Sequence, residues 1–124
     1  MALTNLTKGT VVDSEGGSAT TNLAQGLAKQ WVRFSGTSMS VADSFNTSSV
    51  TDNGTGDYSP VLTNSMSGEN YSPLYTSSQY HELMGNNGGT TGTLASGYNI
   101  DIRNSSNSAA DTGRVSSAVF GDLA

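Results

Sequence analysis

A few side chains in this sequence could do chemistry. Ser38 could act as a nucleophile if a histidine removed its proton. Asp111 could act in acid–base catalysis, and the carboxylates of Asp52 and Asp57 could ligate a hard cation. The single histidine, His81, could be a base or a metal ligand. Each of these roles requires partner residues at a suitable spacing.

Ser38 lies in the segment SGTSMS, residues 35–40, which resembles the serine motif of subtilisin-like proteases. The supporting residues are missing, because that mechanism needs an aspartate, a histidine and the serine in this order along the chain, whereas His81 follows Ser38. The segment is better interpreted as a turn between two strands, from Phe34 to Val41. The sequence therefore predicts no serine protease.

Asp111 begins Asp-Thr-Gly, the triplet of aspartic proteases, in which two such aspartates share a proton. A homodimer could supply the second copy, but the triplet follows the polar segment SNSAA rather than a strongly apolar strand. We interpret it as a turn before the last strand. We therefore expect no enzyme activity and no cofactor, and we expect Ser38→Ala and Asp111→Asn to be neutral.

The loop from Asp52 to Asp57 reads DNGTGD, which is typical of a tight hairpin turn. Ca²⁺ requires 6–8 oxygen ligands, and the loop lacks the spacing of a helix-loop-helix calcium site. Ca²⁺ binding stays an open alternative to an unmetallated loop. His81 has no nitrogen or sulfur ligand near it in the sequence, so we expect it at the surface or in an interface and predict no metal site there.

The composition favours a β-rich protein that associates. Serine, threonine, asparagine and glycine make up almost half of the 124 residues, and only 34% are hydrophobic. Disorder driven by charge is not expected, because 12% of residues are charged and the net charge is −5. The small number of large apolar side chains suggests that burial is completed at a subunit axis.

Several classes of protein are excluded. Five scattered basic residues against ten acidic ones form no patch for nucleic acid, and no apolar stretch approaches the roughly 20 residues of a membrane span. The absence of cysteine fits a reducing cytoplasm. The first residues lack the basic start and apolar core of a signal peptide.

Alternating residues place the strands. Trp31 and Arg33 are expected on one face of a strand, with Val32 and Phe34 on the other. Hairpin arms are predicted at residues 44–51 and 58–63, with an irregularity at Pro60 and a bulge between residues 47 and 49 if Phe45 and Val50 both face the core. Further strands are predicted at residues 71–75, 98–104 and 114–120, with Tyr98, Ile100 and Ile102 on one face.

These patterns predict a mostly β fold: a small antiparallel β-sandwich or β-barrel-like domain over residues 29–124. Residues 1–28 are predicted to form an extended N-terminal arm with a short helix or linker, because Leu23, Ala24, Leu27 and Ala28 have helical spacing.

Residues 28–72 carry a resemblance to a known class of protein. The ordered run WVRF, GT, DSFN, SSVTDNGTGDY and NSM is similar to a recurrent module of bacteriophage tail fibre and other virion proteins. The resemblance implies a homotrimeric virion structural protein of the tail fibre type, made in the host cytoplasm, that acts in tail assembly or host receptor attachment. The alternative is a capsid decoration protein, a cement or head-surface protein. The implied partners are further copies of the chain, other virion proteins and a host-cell surface glycan or protein.

Two sets of side chains are predicted to matter for such a role. The large residues of the module are expected to anchor the core or an interface: Trp31, Phe34, Phe45 and Tyr58. Tyrosines outside it are candidate receptor contacts, because an aromatic ring can stack on a sugar: Tyr71, Tyr75, Tyr80 and Tyr98.

Overall fold

The computed structural model describes residues 26–79 and 92–124, together with the backbone of residues 81–84. The strands are β1 (Gln30–Phe34), β2 (Val41–Phe45), β3 (Thr47–Gly54), β4 (Asp57–Leu62), β5 (Ser72–Ser77), β6 (His81–Met84), β7 (Thr93–Leu94), β8 (Gly97–Tyr98), β9 (Ile100–Arg103) and β10 (Val115–Phe120). They confirm the prediction of a mostly β, antiparallel fold. The arm predicted for residues 1–28 lies almost wholly outside the described residues.

The strands form two sheets. One sheet has the order β2-β1-β10-β5; the other has the order β6-β9-β4-β8-β7, with β3 also paired to β4. The described residues do not close into a barrel, so the barrel-like alternative is wrong. Strand β10 lies between β1 and β5 and is antiparallel to both, so the last strand of the chain completes the first sheet.

The β1–β2 hairpin follows the predicted alternation. Val32 and Phe34 are buried, whereas Trp31 and Arg33 are exposed on the opposite face. Pro73 lies in β5, an edge strand of this sheet, where proline is tolerated because one side of the strand needs no ladder hydrogen bond.

The chain passes from the first sheet to the second at Asn46, which has a left-handed backbone with a φ of 52°. Its side-chain amide donates to the carbonyl oxygens of Lys29 and Asn64, and the backbone N–H of Asn64 donates to Asn46 Oδ1 at 2.7 Å. Asparagine tolerates this backbone conformation better than most residues. The tolerance of asparagine for this conformation and the hydrogen bonds of Asn46 together stabilise the bend between β2 and β3.

The predicted hairpin around the DNGTGD loop is confirmed by the pairing of β3 with β4. Gly56 has a φ of 69°, and a Cβ there would lie 2.5 Å from the carbonyl oxygen of Ile102, so the turn requires glycine. The register shift between Thr47 and Ser49 confirms the predicted bulge. Its assumed cause was wrong, because Phe45 lies on the outer face.

Pro60 lies inside β4, at the point where β4 changes partner. Strand β9 pairs with Asp57 and Tyr58, and β8 pairs with Val61, while Pro60 itself faces Val50 on the other side. The missing N–H therefore falls at the break between two partner strands, which explains how a central strand accommodates proline.

Both sheets bury their inner faces in one hydrophobic core. The first sheet contributes Val32, Phe34, Val115 and Val119, and the second contributes Tyr58, Leu62, Tyr98, Ile100 and Ile102. Phe34 and Tyr58 pack edge to face between the sheets, with ring centroids 5.4 Å apart. The predicted common face of Tyr98, Ile100 and Ile102 is thereby confirmed.

Polar side chains cross this core at Tyr98. Its hydroxyl donates to Gln30 Oε1 at 2.9 Å and lies 2.5 Å from Ser117 Oγ, so one tyrosine of the second sheet bonds to two strands of the first. Gln30 Nε2 in turn donates to Thr47 Oγ1 at 2.8 Å. Because these groups satisfy one another, they can be buried without the cost of unpaired polar atoms.

Candidate functional site: the outer face of the four-stranded sheet

The outer face of the four-stranded sheet carries an exposed line of apolar side chains. The register pairs Phe45 with Trp31, Trp31 with Ala118, and Ala118 with Leu74. Residues directly opposite in neighbouring strands share a face, so these four residues, here named the apolar row, cross the whole sheet over roughly 14 Å.

The four predicted anchor residues divide between the core and this row. Phe34 and Tyr58 are buried in the core, whereas Trp31 and Phe45 expose 38% and 54% of their surface. The inner face of β1 is filled by Val32 and Phe34, so Trp31 cannot enter the domain's own core. Trp31 and Phe45 can act as anchors only in a contact outside this core, and that role stays a prediction.

A polar groove adjoins the apolar row. Arg33, Ser116 and Thr76 form the next cross-strand row, and the groove continues to Ser77, Ser78 and Arg114 with a volume of about 380 Å³. It is named the arginine groove. Within the described parts of the chain, neither Arg33 nor Arg114 forms a salt bridge.

The structure does not bring the candidate receptor tyrosines together on one surface. Tyr98 is a core residue, which corrects its selection as a surface contact, because it is only 3% exposed and its hydroxyl is bonded internally. This burial raises the pKa of Tyr98 to about 12. The Tyr71 hydroxyl donates to the carbonyl oxygens of Leu94 and Gly97. Tyr75 is partly buried and packs against the core, and Tyr80 lies outside the described residues.

Ser38 lies in the turn between β1 and β2, as predicted. Its hydroxyl is 2.9 Å from Ser40 Oγ, and its backbone N–H donates to Ser35 Oγ at 3.2 Å. Gly36 in the same turn is required by close packing, because a Cβ there would collide with the Tyr58 hydroxyl. These contacts are those of a compact turn.

Asp111 has a structural role that the sequence did not indicate. Its Oδ1 accepts a hydrogen bond from the Tyr58 hydroxyl and another from the backbone N–H of Gly56, both at 2.8 Å. Burial raises the pKa of Tyr58 well above its ordinary value, and the hydrogen bond to Asp111 and its negative charge raise it further. Through these two hydrogen bonds, Asp111 connects the loop before β10 to the β3–β4 hairpin.

The outer face of the second sheet carries a buried polar cluster. Asp57 and Asp101 are register partners on β4 and β9. Asn99 Nδ2 donates to Asp57 Oδ1 at 2.7 Å, and Arg103 Nη2 donates to Asp101 Oδ2 at 2.8 Å. The hydrogen bond to Asp101 and its charge raise the pKa of Arg103. Asn99 Oδ1 is buried without a hydrogen-bond partner.

The two carboxylates of the DNGTGD loop do not converge on one point. Asp52 Oδ1 accepts the backbone N–H of Gly54 at 2.9 Å, whereas Asp57 belongs to the polar cluster. Across the described ranges, no group of three or more histidine, aspartate or glutamate side chains could hold a metal ion. The side chain of His81 lies outside those ranges.

Comparison with known proteins gives no assignment: no family model, curated protein or solved structure matches the chain. In the part of the chain that the structure describes, no helix is long and apolar enough to cross a membrane.

Sequence reasoning missed Leu74 and Ala118 of the apolar row and all the residues of the arginine groove. The alternation around Trp31 separated the two faces of β1, but β10 and β5, which complete the row, come from distant parts of the chain. The available signal was the parity of Ala118 and Leu74 within their strands, and that parity becomes informative only when the register is known.

Proposed function

We propose that this chain is a bacteriophage virion structural protein of the tail fibre type, which acts in tail assembly or host receptor attachment as a homotrimer. The observation that carries the proposal is the apolar row, in which Trp31, Phe45 and Leu74 remain exposed in one line. A continuous exposed apolar surface on a small domain is typical of a protein contact site. The resemblance of residues 28–72 to a virion module supports the class of protein.

Further copies of the same chain suit this surface. On one side the row is bordered by the polar residues Arg33, Ser116 and Thr76, as an apolar interface core is bordered by a polar rim. A closed homo-oligomer can direct the same face of every chain towards its symmetry axis. The low hydrophobic content of 34% is consistent with burial that is completed between chains.

Light scattering on two matched leucine variants tests the assembly. Leu74 belongs to the apolar row, whereas Leu94 is another exposed leucine, in β7 of the other sheet. We expect the wild type and Leu94→Asp to have a mass of about three chains and Leu74→Asp to have that of one chain, because a buried unpaired carboxylate opposes association. A wild-type monomer, or equal loss of assembly in both variants, would contradict the proposed surface.

Immunogold labelling of virions with antibodies against the purified chain tests the location. Labelled tails are expected. Labelled capsid shells would instead support the capsid decoration alternative, and virions without label would contradict both.

A further inference from the structure

The arginine groove is the polar part of the exposed face and borders the apolar row. It lies at the ends of β1, β10 and β5, beyond the apolar row. It is lined by the arginines Arg33 and Arg114 and by Thr76, Ser77, Ser78 and Ser116. The Ser78 hydroxyl is 3.0 Å from Thr112 Oγ1. The groove's volume of about 380 Å³ is within the range of small-ligand sites, near the lower end.

The groove is lined by two positively charged side chains, whereas the net charge of the chain is −5. Arg103 is held by Asp101 through Nε and Nη2, so its charge is neutralised within the fold. Within the described ranges, Arg33 and Arg114 have no salt bridge and no side-chain hydrogen bond, and both line this one groove. The acid next to Arg33 is Asp43, its cross-strand partner on β2, which is not among the lining residues.

We propose that the arginine groove binds the carboxylate of an acidic saccharide. A guanidinium group presents paired N–H donors that match the two oxygens of a carboxylate. The hydroxyl groups of Thr76 and Ser116, which share the outer face with Arg33, can donate to and accept from the hydroxyl groups of a sugar ring. Two arginines are too few for a nucleic acid backbone, whose binding depends on many phosphate contacts.

This inference rests on the proposed function, because it gives host attachment a ligand class. In the proposed assembly the groove belongs to the polar rim and not to the apolar contact. The groove is therefore expected to bind in the assembled protein, where each chain would present one copy.

The test is an NMR titration of the full chain with oligogalacturonate, whose methyl ester is the matched uncharged probe. We expect the acid to shift resonances of Ser116 and Thr76 saturably and the ester to have no such effect. Arg33→Gln and Arg114→Gln should each weaken binding about tenfold or more, because a hydrogen bond to a charged group is lost. Lys29→Gln removes the same charge outside the groove and should bind as the wild type does.

The remaining outcomes would overturn the inference. They are equal binding of acid and ester, equal weakening by Lys29→Gln, and the absence of saturable shifts with oligogalacturonate. Binding of a glutamate oligomer or of inorganic phosphate as strong as that of the uronate would show an anion site without a saccharide. Thermal melting of each variant checks that the fold is retained. Labelled tails without saccharide binding would contradict this inference and leave the proposed function supported. Saccharide binding without labelled virions would support the groove as a binding site and contradict the proposed function.

Discussion

The outer faces of the two sheets differ: one carries buried, paired polar side chains, and the other carries exposed apolar ones. On the second sheet, Asp101 lies opposite the core face of Ile100 and Ile102, yet it is only 4% exposed and is bonded to Arg103. On the first sheet, Trp31 is exposed and Arg33 forms no salt bridge within the described residues.

This difference separates residues that stabilise the fold from residues available to a partner. A buried charge without a partner would cost several kcal/mol, so a folded domain pairs such groups internally. An exposed tryptophan beside an arginine without a salt bridge adds little to folding and retains its capacity to bind. The second sheet therefore carries polar groups used by the fold, and the first sheet carries the candidate site.

The largest expected effect contrasts Phe34 with Trp31, which lie in the same strand on opposite faces. Phe34→Ala should lower the free energy of unfolding by about 3–5 kcal/mol, because it removes a fully buried ring that packs on Tyr58. Trp31→Ala should lower the stability of the isolated chain by about 1–2 kcal/mol and should prevent assembly. Urea unfolding and light scattering measure the two effects.

Iodide quenching of Trp31 provides the control for this pair. The sequence led to the expectation that Trp31 anchors the core or an interface, and the structure places it outside the core. Emission should be protected from iodide in the assembled protein and quenched in the Leu74→Asp monomer. Protection in both states would show that another segment of the chain covers the row, and quenching in both would show that nothing does.

Alternation predicted the faces of individual strands well, because it depends on neighbouring residues. It put Val32 and Phe34 on the face of β1 opposite to Trp31 and Arg33, and it gave Tyr98, Ile100 and Ile102 a common face. The turn chemistry of DNGTGD predicted the β3–β4 hairpin for the same local reason.

The candidate site could not be predicted in this way, because it is made by pairing between distant segments. Leu74 and Ala118 join Trp31 only through the order β2-β1-β10-β5, in which β10 follows β1 by about eighty residues. Asp111 contacts Tyr58 across a gap of 53 residues. Tyr98 was misjudged because an aromatic side chain in a strand is equally suited to a core or a surface.

Alkaline pH should test the internal polar network at Tyr98. Burial raises the pKa of Tyr98 to about 12, whereas a tyrosine in the unfolded chain has a pKa of about 10. Between these values the unfolded chain loses the phenol proton while the folded chain keeps it, so stability is full below about pH 10 and falls as pH rises through about 12. The loss from this group is on the order of 3 kcal/mol.

Urea midpoints on both sides of this pH window measure the loss. Tyr98→Phe is the matched variant: it should be less stable at neutral pH, because Gln30 Oε1 loses its donor, but it should lose less stability at alkaline pH. Burial also raises the pKa of Tyr71 to about 12, so part of the alkaline loss of stability should remain in Tyr98→Phe. An equal alkaline loss in the wild type and the variant would contradict the assignment to Tyr98.

The smallest expected effect compares the two residues that first suggested catalysis. From sequence alone, Ser38→Ala and Asp111→Asn should both be neutral, and the structure retains that expectation for Ser38, an exposed turn residue, within about ±0.5 kcal/mol. Asp111→Asn should cost about 1 kcal/mol, because the bonds from Tyr58 and Gly56 lose their charged acceptor. The variant should also bring the pKa of Tyr58 closer to its ordinary value, since both the bond and the charge of Asp111 raise it. Ultraviolet absorbance of tyrosinate measures this pKa change independently of unfolding by urea.

Neither variant should change the rate at which a denatured protein substrate is cleaved. A proteolytic activity that disappears in either variant would show a catalytic site where we infer a turn at Ser38 and structural hydrogen bonds at Asp111.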